Sequence, residues 1–280
     1  MSSISLIIPT YNRQETVLKT LDFLKLQNCE DYEVIVVDQT KLTHPQLVKF
    51  KFEDRTVKYK YSHININDKE KKIKLNYFTV YVLSKKNKSQ LLINKKVIKI
   101  NEGDCINFYN HKINKFSSQL GDIKLLISGV KKNKKEKKRI ELIKKKKLYT
   151  VKKPWGYEKW LNGRGKYYAF KKIFLKSSFK TSLQYHRYKC ETNLLFSGKA
   201  QLVYKINKRI HNKKVQNKDL KKENLRFVSE IFVKPNTLHR IIAKTNIQLF
   251  ETSTPHLDDV IRVSDDKNRP SGLIKLEHQK

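Results

Sequence analysis

The segment Ser182-Leu183-Gln184-Tyr185-His186-Arg187-Tyr188-Lys189-Cys190-Glu191, with EIFVKPNTLHRI at Glu230 to Ile241, decides the reading of the fold. Alternate residues of a strand face the same side, so Gln184 and His186 point together, and that side can be the inside of a barrel. Glu191 follows five residues after His186. His239 sits on a later strand, behind a Pro235-Asn236 turn that can return it opposite the first. Taken singly, each is a hydrogen-bonded core or surface residue. Together, two imidazoles, one carboxylate and one amide oxygen form a mixed nitrogen and oxygen set suited to a divalent ion such as Zn, Mn, Fe or Co.

Outward from this segment the chain reads as strand after short strand. Tyr167–Leu175, Ser182–His186, Thr192–Phe196, Ala200–Ile206, Glu230–Val233, Leu238–Ile242 and Gln248–Thr252 are punctuated by turns such as Ser197-Gly198. Many short, evenly spaced strands without helices between them predict a sandwich or barrel.

The spacing Q-x-H-x4-E followed by P-x3-H resembles the cupin metal signature with Gln184 in place of the first His, as in type II mannose-6-phosphate isomerases. The resemblance extends over residues 151–270. KKPWGYEKWL at Lys152 to Leu161 is similar to that family's opening motif, SGKA at Ser197 to Ala200 to its hairpin turn, and LDDVIRVSDDKNR at Leu257 to Arg269 to its closing segment. It implies that Gln184, His186, Glu191 and His239 hold the metal and that Arg262 lies at the mouth near the substrate. Lys189 stands where the family has an active-site Arg; a Lys still offers a cation to a phosphate but lacks the bidentate fork. Tyr188, Thr192, Asn193 and Leu257 also depart from the family's pattern.

The activity implied is aldose–ketose isomerisation of a phosphorylated sugar through a cis-enediol, as in nucleotide-sugar or polysaccharide biosynthesis. Arg262, Lys189 and Arg240 are the cations available for the phosphate, although Arg240 adjoins a ligand on its strand and should point outward. The pattern does not mark the base that moves the proton. Bifunctional relatives open a guanylyltransferase half with G-G-x-G-T-R-L; this sequence has no such stretch, so nucleotidyl transfer is not expected.

At the other end, an apolar run (Leu6-Ile7-Ile8), a turn (Pro9 to Arg13), a stretch with Val17, Leu21 and Leu24 at helical spacing, and a second apolar run (Val34 to Val37) ending at Asp38 read as a βαβ start. Residues 4–55 resemble the opening of family 2 glycosyltransferases, which implies that Pro9 to Arg13 and Asp38 face a sugar nucleotide. The D-x-D metal motif and the acceptor half of that family do not follow, so the unit reads as a truncated fragment without that activity.

Between the two, Tyr77–Leu83, Gln90–Ile93, Val97–Ile100 and Lys124–Ile127 are β-type runs. QLLINKKVIKINEGDCINF resembles a cupin hairpin with its turn at Gly103-Asp104, but it brings no His/Glu cluster, which implies a degenerate, structural cupin unit. From Lys131 to Lys147, 11 of 17 residues are Lys or Arg, which predicts a solvated linker or a poorly ordered helix. The expected fold class is therefore mainly β. Its parts are an α/β fragment at 1–60, a degenerate cupin-like unit at 61–130, a basic linker at 131–150, a metal-binding cupin jelly-roll barrel at 151–270, and a tail at 271–280.

A formal charge of +36, from 62 Lys+Arg against 26 Asp+Glu, attracts phosphorylated substrates and other polyanions. The excess is mostly Lys in a chain rich in Asn and Ile, as tolerant surface positions acquire, and no RNA-binding or helix-turn-helix motif accompanies it. Nucleic-acid binding through the basic stretch is thus the minor reading. Cys29, Cys105 and Cys190 form no C-x-x-C pair, which fits a reducing cytoplasm, and the run Ile4–Ile8, stopped by Pro9, is too short to span a membrane. Pairing of cupins through barrel edges makes a homodimer the default. The alternative to the isomerase is a non-catalytic carbohydrate-binding or scaffold cupin fused to a glycosyltransferase remnant.

Overall fold

The computed structural model describes residues 4–10, 32–38, 59–85, 88–111, 114–132, 136–163, 165–206, 219–225 and 229–274. The chain divides into two compact units, Met1–Pro45 and Gln46–Lys280.

In the first unit, β1 (Ile4–Thr10) and β2 (Tyr32–Asp38) pair in parallel, with Ile4 opposite Tyr32 and Thr10 opposite Asp38. A parallel pair requires a crossover connection. The helix expected there, through Val17, Leu21 and Leu24, lies outside the described residues, as do Tyr11, Asn12 and Arg13 of the turn.

The second unit holds two β-barrels in sequence. The first comprises β3 (Tyr59–Ile66), β4 (Lys71–Ile73), β5 (Tyr77–Lys85), β6 (Gln90–Ile93), β7 (Lys96–Ile98), β8 (Cys105–Tyr109), β9 (Asn114–Gln119), β10 (Ile123–Val130) and β11 (Arg139–Ile143). They form a sheet ordered β11-β8-β5-β10-β3 and a second ordered β4-β9-β6-β7. Phe78, Val80 and Val82 of β5 pack with Leu91, Ile106, Phe108, Phe116 and Leu125 in a closed apolar core. Aromatic and aliphatic side chains make up this core.

The stretch 131–150, expected as a linker, contains strand β11 on the edge of the larger sheet and a 3-10 turn at Lys145–Lys147. An edge strand needs backbone partners on one side only, so its charged side chains can stay in water. Asp104 fixes the departure of the chain: its carboxylate accepts the backbone N–H of Asn101 and of Lys145, each at 2.9 Å, and Lys144 Nζ at 2.9 Å.

The second barrel comprises β12 (Tyr149–Lys153), β13 (Gly156–Trp160), β14 (Ala169–Leu175), β15 (Leu183–Tyr185), β16 (Glu191–Ser197), β17 (Ala200–Ile206), β18 (Lys221–Leu225), β19 (Ser229–Val233), β20 (Thr237–Ala243), β21 (Ile247–Ser253) and β22 (Ile261–Ser264). Sheet β12-β13-β14-β21-β16-β19 faces sheet β18-β17-β20-β15-β22, every pairing antiparallel. Leu175, Leu195 and Leu249 of the first sheet pack with Leu202 and Ile241 of the second in one apolar core. At Gly156, φ is +153° and a Cβ would fall 2.0 Å from the Phe174 carbonyl oxygen, so no larger residue fits between β13 and β14.

The two barrels share a buried seam. Tyr77, Tyr81, Leu126 and Val130 of the first pack with Leu161, Tyr168, Phe170, Leu194 and Phe250 of the second. The rings of Tyr81 and Phe250 lie 5.2 Å apart, and Thr79 Oγ1 lies 2.7 Å from the Tyr168 hydroxyl. Strand β5 is thus buried on both faces, one toward its own core and one toward the neighbouring barrel. Each large ring buried at the seam contributes roughly 1.5–3 kcal/mol.

Candidate metal centre

Among the described residues, one group of His, Cys, Asp and Glu side chains converges closely enough to hold a metal ion: His186, Glu191 and His239, whose ligand atoms all lie within 4.8 Å of one another. All three are buried. They come from both sheets. His239 lies on β20, Glu191 opens β16 on the facing sheet, and His186 directly follows β15. Gln184 pairs with His239 on one side and Arg262 on the other, which places a row of three site residues across one sheet.

The imidazole orientations are set from behind. His186 Nδ1 bonds the backbone carbonyl of Asp259, and His239 Nδ1 that of Thr237 at 3.0 Å. A carbonyl only accepts, so each Nδ1 carries the hydrogen and each Nε2 turns a lone pair inward. His186 Nε2 is buried without a hydrogen-bond partner and lies 3.6 Å from Glu191 Oε2; His239 Nε2 lies 3.2 Å from Glu191 Oε1. Burial, aided by the nearby Lys189 charge, lowers the His186 pKa and keeps the ring neutral. A neutral imidazole lone pair aimed at a carboxylate is unfavourable unless a cation lies between them. The donor set therefore fits a divalent metal ion.

Glu191 is ionised. Burial alone would raise its pKa, but the Lys189 ammonium outweighs burial and holds it well below the usual carboxylate range. Asn193 Nδ2 donates to Glu191 Oε1 at 3.0 Å and fixes the carboxylate plane. Gln184 Oε1 accepts from Ser182 Oγ at 2.5 Å and lines the cavity.

The expected phosphate cations are placed differently from one another. Lys189 is buried, and its Nζ reaches Glu191 Oε2 at 2.5 Å and Glu251 Oε1 at 2.8 Å. Burial would lower its pKa, but these two carboxylates raise it well above the ordinary lysine value. The loop carrying it is turned inward by Asp259, whose carboxylate accepts the backbone N–H of Arg187 at 3.0 Å, Tyr188 at 2.5 Å and Lys189 at 2.8 Å. Arg262 lines the cavity while its Nη1 donates to the backbone carbonyls of Pro270 and Gly272. Arg240 is not part of the cavity wall; its Nε donates to Thr181 O at 2.8 Å and its Nη2 to Ser264 O at 3.0 Å, as its outward phase implied.

The sequence reading did not single out Glu251, Lys171, Glu158 or Asp259. The first three were visible as charges in the inward phase of apolar strands: Lys171 between Ala169 and Ile173, Glu251 after Leu249, and Glu158 two residues before Trp160. They line a cavity of about 110 Å³ with His239, Gln184 and Glu191. Cys105 and Cys190 are buried free thiols, both pushed up in pKa by burial, Cys190 to about 12. Among the described residues, no helix is long and apolar enough to cross a membrane.

Comparisons with known proteins bear on both units. Residues 5–66 match the profile of Glycosyl transferase family 2. No curated protein matches the chain. Among solved structures, oxalate decarboxylase from Lactobacillus farciminis, in its formate complex, aligns with a TM-score of 0.54 at 8% identity, over 73% of this chain and 79% of that one. Oxalate decarboxylase from Bacillus subtilis, in a study of its Mn(II) centres, aligns with a TM-score of 0.51 at 8% identity, over 70% of this chain and 69% of that one. At such identity the likeness concerns the fold alone, and that fold is the cupin jelly roll; the candidate metal centre lies in the second of the two barrels.

Proposed function

We propose that the second barrel is a divalent-metal cupin acting on a phosphorylated sugar as an aldose–ketose isomerase of the mannose-6-phosphate isomerase type. The observation that carries this is the convergence of His186, Glu191 and His239, with both Nδ1 atoms tied back and both Nε2 atoms turned inward. Gln184 completes the set as an oxygen ligand. When bound, the ion supplies Lewis acidity toward a carbonyl and its neighbouring hydroxyl. The chain itself binds and orients: Arg262 at the wall presents positive charge to an anionic substrate, and Glu158 and Glu251 are wall carboxylates outside the ligand set. The B. subtilis structural relative, described for its Mn(II) centres, supports a metal in this fold.

A second reading, a non-catalytic carbohydrate-binding or scaffold cupin, draws support from the cavity. About 110 Å³ is small beside the roughly 300–1,000 Å³ of most ligand pockets, and Lys189 is turned onto carboxylates rather than toward a substrate. Elemental analysis of wild type and of the His186→Ala, His239→Ala double variant, with an assay for interconversion of mannose 6-phosphate and fructose 6-phosphate, separates the two. About one metal per chain, lost in the double variant and accompanied by turnover, supports the isomerase. Metal without turnover on these or related sugar phosphates rejects it in favour of the second reading.

A further inference from the structure

The cavity wall carries more charge than a metal site needs. Lys189 Nζ lies 2.8 Å from Glu251 Oε1, Glu251 lies 3.7 Å from Lys171 Nζ, Lys171 lies 3.5 Å from Glu158, and Glu158 lies 3.9 Å from Lys153. None of these side chains is more than 12% exposed. Three ammonium groups and two carboxylates thus alternate along the wall, and the line ends at Glu191, where Lys189 Nζ takes Oε2 at 2.5 Å.

A buried ammonium cannot be left unpaired without a large desolvation cost. Lys189 is held between two carboxylates, and one of them is the only carboxylate of the metal-binding group. An ion bound through Glu191 must share that side chain with the ammonium or displace it, against charge repulsion strengthened by the low local dielectric. Glu251 offers the ammonium a second seat without any move to solvent.

We propose that Lys189 is an internal competitor for the metal-binding carboxylate, and that Glu251 is the seat to which its ammonium passes when a divalent cation binds. The inference rests on the metal-site reading above. It makes metal affinity a property of the Glu191–Lys189–Glu251 triad as well as of the ligands. A cation of the chain's own satisfies Glu191 while no ion is bound, and Glu251 limits what that cation costs the ion.

The test is calorimetric titration of the full chain with Mn²⁺, with melting curves recorded with and without the ion. The proteins are wild type, Glu251→Gln, and Glu251→Gln combined with Lys189→Met, which removes one charge of each sign and leaves Lys171 its partner Glu158. Glu251→Gln confines the ammonium to Glu191 and should bind Mn²⁺ about tenfold more weakly than wild type. The double variant should bind more tightly than wild type and show the larger Mn²⁺-induced rise in Tm. Binding by the double variant where wild type shows none also supports competition. Equal affinities in all three, or a double variant weaker than wild type, overturn the inference while leaving the metal site standing. Absence of binding in every protein removes the metal site and the inference together.

Discussion

Gln184 of β15 and His239 of β20 are direct partners across an antiparallel pair, although a long stretch of chain separates them. The pairing explains how an amide and an imidazole from distant parts of the sequence come to serve one site. If Gln184 is a ligand, Gln184→Ala should weaken Mn²⁺ binding about tenfold. Its metal-free stability should stay within about 1 kcal/mol of wild type, because the side chain is only partly buried. Ser182→Ala removes only the 2.5 Å bond to Gln184 Oε1 and should leave affinity unchanged or raise it. Unchanged affinity in Gln184→Ala, measured by the same titration, would reduce the ligand set to His186, Glu191 and His239.

What was legible in the sequence divides along physical lines. Period-two alternation and punctuating turns located β14 to β17 and β19 to β21 to within about two residues. Strands β12, β13, β18 and β22 were not foreseen, since Lys221–Leu225 is mostly charged and exposed and Tyr149–Lys153 mixes Lys with a single fully buried Val151. The basic run hid β11 for the same reason: edge pairing uses backbone groups, which leave no trace in side-chain polarity. At the site, the resemblance of the Q-x-H-x4-E and P-x3-H spacing to the cupin signature pointed to His186, Glu191 and His239, which the structure brings together. The inward turn of Lys189 was not readable, because it depends on Asp259, which lies far along the chain and acts through backbone amides.

That dependence on Asp259 makes a prediction of its own. One side chain holds three consecutive N–H groups, and its backbone carbonyl fixes the His186 ring. Asp259→Ala removes the first contribution and leaves the second, so the loop loosens while the ligands remain. Metal affinity should fall about 10- to 100-fold, in the range for partners that orient ligands from behind. Mn²⁺ titration beside a far-UV spectrum checks this. A variant with native spectrum and native affinity would show that the loop is held by packing rather than by the carboxylate.

Asp104 lends itself to a pH experiment far from the metal site. Burial works to raise its carboxyl pKa, but donation from the Lys145 N–H, the Lys144 ammonium and the Asn101 N–H outweighs burial and lowers it. A carboxyl depressed on folding adds stability in full above its unfolded pKa of about 3.9, and that stability is lost as pH falls through the lower native value. Asp104→Asn should therefore be less stable than wild type by about 1–3 kcal/mol at neutral pH. The deficit should hold constant down to about pH 5 and shrink as pH falls below about 3.9, where the unfolded chain's carboxyl takes up its proton before the native one does. Urea unfolding midpoints of both proteins across that range measure it. A deficit that persists undiminished at pH 3 would mean that Asn fails through its shape, and that the ionised carboxylate is not what ties the basic strand to the first barrel.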